Sequence, residues 1–266
     1  MKLERIAALL AKAERTDNPA EADAYLTKAQ LLATLASIDL STARNHTQSK
    51  ESLNPISRTV TIGEKGKRVN THLVNLFVVV AHSNSTQVDV ARDSTYVISY
   101  GMPSDLDAVE ALFASIAVQM TTQANSYVQA GTWRGEKFDG RVRVAGGYRR
   151  KRVEFTAQTA RASFYRAYIV RIGERLQEGR EQAIRVSDES ASSGKSGALV
   201  LASKEKTVAD FHRKTSQARG SWSGYSGAAS ARSGSAATAG RSAASRARLT
   251  EQAGIGGGRK QVGAGQ

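Results

Sequence analysis

Between residues 56 and 130 the hydrophobic period switches between two and 3.6, and nothing else in the chain restricts its fold as much. ISRTVTIG (56–63) alternates as a strand and ends in the basic turn EKGKR. NTHLVNLFVVVAH (70–82) is predominantly apolar; its length and the Asn70/Thr71 start favour a helix over a strand. STQVDVAR and STYVISYG alternate again, as two strands joined by a short Arg92–Asp93 turn and closed by Gly101. MPSDLDAVEALFASIAVQMTTQANSYVQA then returns to the helical period, with Leu106, Val109, Leu112/Phe113, Ile116 and Met120 as its stripe. Ser104 followed by Asp107 reads as a capping box at its start. The expected fold class is α+β: a small domain of about three antiparallel strands with helices packed on them.

Upstream, residues 2–14 carry Leu3, Ile6, Leu9, Leu10 and Ala13 at helical spacing. A second helix follows in TDNPAEADAYLTKAQLLATLAS, with Asn18 as N-cap, Pro19 at the first position and Glu21 completing a capping pattern. The short TDN connection makes residues 1–40 an antiparallel helical hairpin, followed by a polar linker over 41–55. The stretch IAALLAKAERTDNPAEADAYLTKAQLLATLASIDL resembles the N-terminal domain of an uncharacterised family from actinobacteria and phages. That family is known as domain of unknown function 2786, with a companion 7168 domain. FTAQTARASFYRAYIVRIGERLQEGRE and the small-residue, arginine-bearing tail are similar to later parts of the same family. The resemblance implies no activity, because its motifs are helix-packing motifs with no catalytic residue to carry over.

Residues 131–150 are glycine-punctuated, basic and aromatic, and read as either a flexible linker or a β-hairpin, with Arg141–Ala145 alternating. Residues 151–186 read as one long basic helix, the end of an α+β domain spanning 56–186. Phe155, Ala162, Phe164/Tyr165, Tyr168/Ile169, Ile172 and Leu176 would face inward, and Arg161, Arg171 and Arg175 outward. On this reading Arg149, Arg150, Lys151 and Arg152 gather where a flexible loop meets a helix N-terminus, a place suited to phosphate. Residues 187–219 form a spacer and a short helix. The Gly/Ser/Ala/Arg-rich tail over 220–266 is expected to be disordered, having too little apolar surface to bury.

Charge points to the partner. The net charge is +14, yet residues 131–219 hold 20 basic and 10 acidic groups and residues 220–266 hold 6 and 1, so the excess lies wholly in the second half. Such asymmetry suggests nucleic acid before membrane. The candidate binding residues are Trp133, Arg134, Lys137, Arg141, Arg143, Tyr148, Arg149, Arg150, Lys151 and Arg152. Arginine pairs with phosphate and aromatic rings stack on unpaired bases, a mixture suited to single strands. The function expected is a non-enzymatic, nucleic-acid-associated protein of bacterial or phage origin, binding DNA or RNA without sequence preference. One alternative is a structural or protein-interaction factor whose helical hairpin docks a protein partner. A further alternative is a metal-dependent hydrolase using Asp89 and Asp93, both expected at the exposed end of a strand.

Other chemistry finds little support. The chain has no cysteine, so neither a disulfide nor a thiolate metal site is available. His46, His72, His82 and His212 lack the spacing of a zinc motif. The Gly-x-Ser echoes in GSWSGYSG do not lie between a strand and a helix as a nucleophile elbow must. No catalytic residue and no cofactor are expected. The charged first helix is unlike a signal peptide and no stretch is apolar enough to span a membrane, so the expectation is a cytoplasmic protein.

Overall fold

The computed structural model describes residues 54–190, 196–220, 222 and 234–247, together with the helical residues 31, 32, 34 and 35. The expected helical hairpin otherwise lies outside the described residues, as do the linker before residue 54 and the remainder of the tail. The fold is α+β, as the alternating periods predict.

Strands β1 (Ile56–Thr61), β2 (Gln87–Val90) and β3 (Tyr96–Gly101) form an antiparallel sheet in the order β1-β3-β2, with helix α1 (Asn70–Ser83) between the first two in sequence. Register places Thr59 and Asp89 on either side of Ile98, and Val60 and Val90 on either side of Val97. Because side chains alternate across a strand, Val60, Val88, Val90 and Val97 share one face and join the main core. Asp89 and Tyr100 share the other. Helix α2 (Pro103–Ala130) packs with α1 on the first face, where Phe77 meets Phe113 edge-on at 5.1 Å.

The helix starts differ from expectation. Asn70 does not cap α1; its side-chain amide donates to the Glu64 carbonyl at 2.8 Å and tethers the preceding turn. Met102 occupies the cap position of α2 and Pro103, pre-set for helix, begins it, which leaves Ser104 within the first turn and no capping box. Asp105 and Asp107 work at long range instead. Asp105 accepts from Lys204 Nζ at 3.0 Å in a buried ion pair, while Asp107 and Glu110 hold Arg58 of β1.

Next come β4 (Lys137–Val144) and β5 (Gly147–Glu154), which among the described residues pair only with each other, as a two-stranded ribbon. This corrects the long helix expected from residue 151. Residues 149–152 are strand, and helix α3 (Ala157–Ser190) starts beyond them, capped by Thr156, whose hydroxyl accepts from the Thr159 N–H at 3.2 Å. Inward residues of α3 are Phe164, Tyr165, Tyr168, Ile169, Ile172 and Leu176, as its stripe predicts. Helix α4 (Gly197–Thr215) covers the second face of the sheet, where Tyr100 contacts the Phe211 and His212 rings.

The tail also departs from expectation. Helix α5 (Gly234–Ser245) packs on α2 and α3 with Ala236, Gly240, Ala243 and Ala244 buried. Its small residues allow an approach that bulky ones would prevent: a Cβ built on Gly240 would sit 2.5 Å from the Phe164 carbonyl oxygen. Arg175, expected to face outward, is 1 % exposed and donates to the carbonyls of Ala244 and Ala247 at the end of α5. Terminal helix carbonyls have no partners within the helix, and a cation there also meets the negative end of the macrodipole. Tyr127 bonds Ser235 at 2.8 Å, and Arg241 pairs with Glu174 at 2.9 Å.

Candidate nucleic-acid interface

The ribbon owes its turn to AGG. Val144 pairs with Gly147, so Ala145 and Gly146 alone make the loop. Gly146 has φ +95° and Gly147 φ +144°, a region L-residues rarely adopt. Directly opposed residues of an antiparallel pair share a face. One face therefore carries the Phe138–Val153, Gly140–Lys151 and Val142–Arg149 pairs. The other carries Asp139–Arg152 and Arg143–Tyr148; Arg141 is the register partner of Arg150. Cations thus occupy both faces, with Arg149 and Lys151 on one and Arg143, Arg150 and Arg152 on the other. All five are exposed.

The structure separates the ten predicted residues into a base and a free arm. At the base, the Phe138 ring lies 4.8 Å from Phe155. Trp133 donates its indole N–H to the Val128 carbonyl at the end of α2 (3.1 Å), and the Arg134 guanidinium sits 5.8 Å from the Trp133 ring. Lys137 pairs with Glu154 at 3.4 Å. Phe138 and Trp133 are thus occupied within the fold, and of the two aromatic residues among the ten, Trp133 and Tyr148, Tyr148 at 72 % exposure beside the turn is the one open to a ligand.

Beyond the base, Gly140 to Arg152 contains six cations and no acid. None of the ion pairs among the described residues includes Arg143, Arg149, Arg150, Lys151 or Arg152, although Asp139 is the register partner of Arg152. Much of the remaining positive charge of the second half is committed to the fold. Arg171 pairs with Glu174 and Glu178, Arg180 with Glu205, and Arg175 is buried.

A second polar cluster was not legible in the sequence. Asp89 is not at an exposed strand end: it accepts from Tyr100 Oη at 2.8 Å and Ser216 Oγ at 2.6 Å, and lies 2.9 Å from His212 Nε2. Burial pushes its carboxyl upward, but the bonds from Ser216, His212 and Tyr100 outweigh that and hold it below the usual range. Burial, reinforced by Asp89, pushes the Tyr100 phenol up to about 12. Asp93 spends its acceptor locally on the Thr95 N–H and hydroxyl. Ser216 donates to a carboxylate rather than to the imidazole, so the cluster does not form a base-activated nucleophile. It clamps the end of α4 to the sheet. Among the described residues no group of three or more His, Asp or Glu side chains could hold a metal ion. An open groove of about 440 Å³ lies between the end of α1, β2 and α4, with His82, Gln87, Glu205 and Lys206 on its walls.

Among the described residues no helix is long and apolar enough to cross a membrane. No curated protein and no solved structure matches the chain. Residues 2–40 match the model of the family described as "Protein of unknown function (DUF2786)", and over that segment the chain is similar to this uncharacterised family.

Proposed function

We propose that the protein binds nucleic acid without catalysing a reaction, gripping phosphates with the β4–β5 ribbon. The carrying observation is the set of five exposed cations without ion pairs, in a stretch that has no acid between Gly140 and Arg152. Keeping two short edges from pairing with other chains needs a few charges of either sign. Six of one sign add cross-strand repulsion, which a bound polyanion would relieve. Base stacking plays a smaller part than the composition suggests, since Trp133 and Phe138 are packed at the base.

The test replaces Arg149, Arg150, Lys151 and Arg152 with threonine, which retains strand propensity. Binding of labelled DNA is followed by fluorescence anisotropy across a salt series. Each phosphate contact contributes about −0.7 to the slope of log K against log salt on single strands and about −0.9 on duplex. The fourfold variant should therefore be flatter than the parent by roughly 3 to 4 and should bind all sequences more weakly. Equal slopes, or no binding by the parent at low salt, would overturn the proposal.

A further inference from the structure

We infer that the ribbon's ligand is the major groove of B-form duplex DNA, a proposal that rests on the phosphate-binding reading above. A single strand offers one backbone and would engage one face of a ribbon. Here both faces carry exposed cations, Arg149 and Lys151 on one, Arg143, Arg150 and Arg152 on the other. A groove has two phosphate walls. The major groove of B-DNA, about 12 Å wide and 8.5 Å deep, admits a two-stranded β-ribbon, whereas the major groove of A-form RNA is too narrow and deep to read.

The order of residues along the ribbon matches that depth. The tip, Val144-Ala145-Gly146-Gly147, is exposed, small and uncharged. At about 3.4 Å per residue, Arg149 and Arg150 stand roughly 7 and 10 Å back from Gly147, the height of the phosphate rims when the tip meets the floor. Lys151 and Arg152 stand further back, towards the flanking backbone. Val144 and Ala145 would meet base edges with methyl groups only, a contact that favours thymine methyls and otherwise discriminates little. Tyr148 lies one step from the tip, across from Arg143, where its ring lies against the groove wall.

Three anisotropy probes of one length and sequence separate the possibilities: duplex DNA, single-stranded DNA and duplex RNA, at one salt concentration. A fourth is duplex DNA whose cytosines carry glucosylated 5-hydroxymethyl groups, which fill the major groove and leave the phosphates unchanged. Duplex DNA should bind at least tenfold tighter than duplex RNA, and glucosylation should weaken it at least tenfold. Ala145→Asp, in an exposed loop, should weaken duplex DNA binding about tenfold and leave single-strand binding within twofold. If the first three probes bind within twofold of one another, or glucosylation has no effect, the groove assignment is overturned while phosphate binding stands. If none of the probes binds at low salt, both readings fail.

Discussion

Replacing Gly240 with alanine sets two opposing effects against each other in one methyl group. In an isolated helix alanine is favoured over glycine by about 1 kcal/mol, so propensity alone predicts a more stable α5. The added Cβ, however, would stand 2.5 Å from the Phe164 oxygen, 3.2 Å from its carbonyl carbon and 3.1 Å from Ala167 Cβ. Two of these are backbone atoms of a buried helix and cannot rotate aside. Reaching ordinary contact at 3.4 Å requires α5 to withdraw by nearly an ångström. A gap of that size forfeits about a quarter to a half of the dispersion energy along the contact, and overpacking typically costs about 1–3 kcal/mol. The same movement draws the Ala244 and Ala247 carbonyls away from Arg175. Sterics should win, with a net loss of about 1–2 kcal/mol and a fall in Tm of roughly 3–6 °C. Gly234→Ala is the control: the same change on the same helix meets nothing within 4 Å and should be neutral or stabilising. Thermal unfolding followed by circular dichroism gives the first comparison. Trypsin cleavage at Arg241 and Arg246, faster when α5 undocks, gives the second. Indistinguishable behaviour of the two variants in both assays would refute docking through Gly240.

Arg175→Ala should cost about 3 kcal/mol in urea unfolding, because it opens a void beneath α5 and removes a charged donor from two carbonyls. Lys204→Met should cost about 3–5 kcal/mol by leaving the buried Asp105 carboxylate without its ammonium; Lys204→Met combined with Asp105→Leu should recover most of it, a coupling read from a double-mutant cycle. Burial pushes the His72 imidazole from 6.5 down to about 4, so the folded protein favours its neutral form. Its contribution is intact above pH 6.5 and is lost as pH falls from 6.5 through 4, on the order of 3 kcal/mol in all. His72→Phe, which keeps a ring against Tyr165, should remove that share of the acid sensitivity when urea unfolding is compared at pH 7 and pH 4.5.

The strands and helices between residues 56 and 130 were legible because bulky apolar residues mark their period. The ribbon was half legible. Arg141–Ala145 alternates visibly, but in RRKRVE cations fill consecutive positions, so no contrast of polarity distinguishes a strand from a helix. The signal available was the AGG turn lying between two segments of matching length. Helix α5 was missed for another reason: hydrophobic bulk measures area, and this helix docks by proximity, with Ala236, Gly240, Ala243 and Ala244 as its buried face. Arg175 could have been found, since it falls seven residues after Tyr168 on the same helical stripe. Its charge argued the other way, and only the α5 carbonyls explain its burial. The Asp105–Lys204 pair spans 99 residues and leaves no local trace.

The smallness of α5 also fixes when it forms. Twelve residues of mainly alanine, glycine and serine are too few and too weakly apolar to hold a helix alone in water. In the native fold it packs in a groove made by α2 and α3, so it should take shape after the folding barrier has been crossed. Substitutions within it should then leave the folding rate almost untouched and act on the unfolding rate, the kinetic signature of an element that condenses late. The Glu136 carboxylate at the base of the ribbon accepts from the Ser235 N–H at the start of α5, so the arm's footing is completed only in that last step.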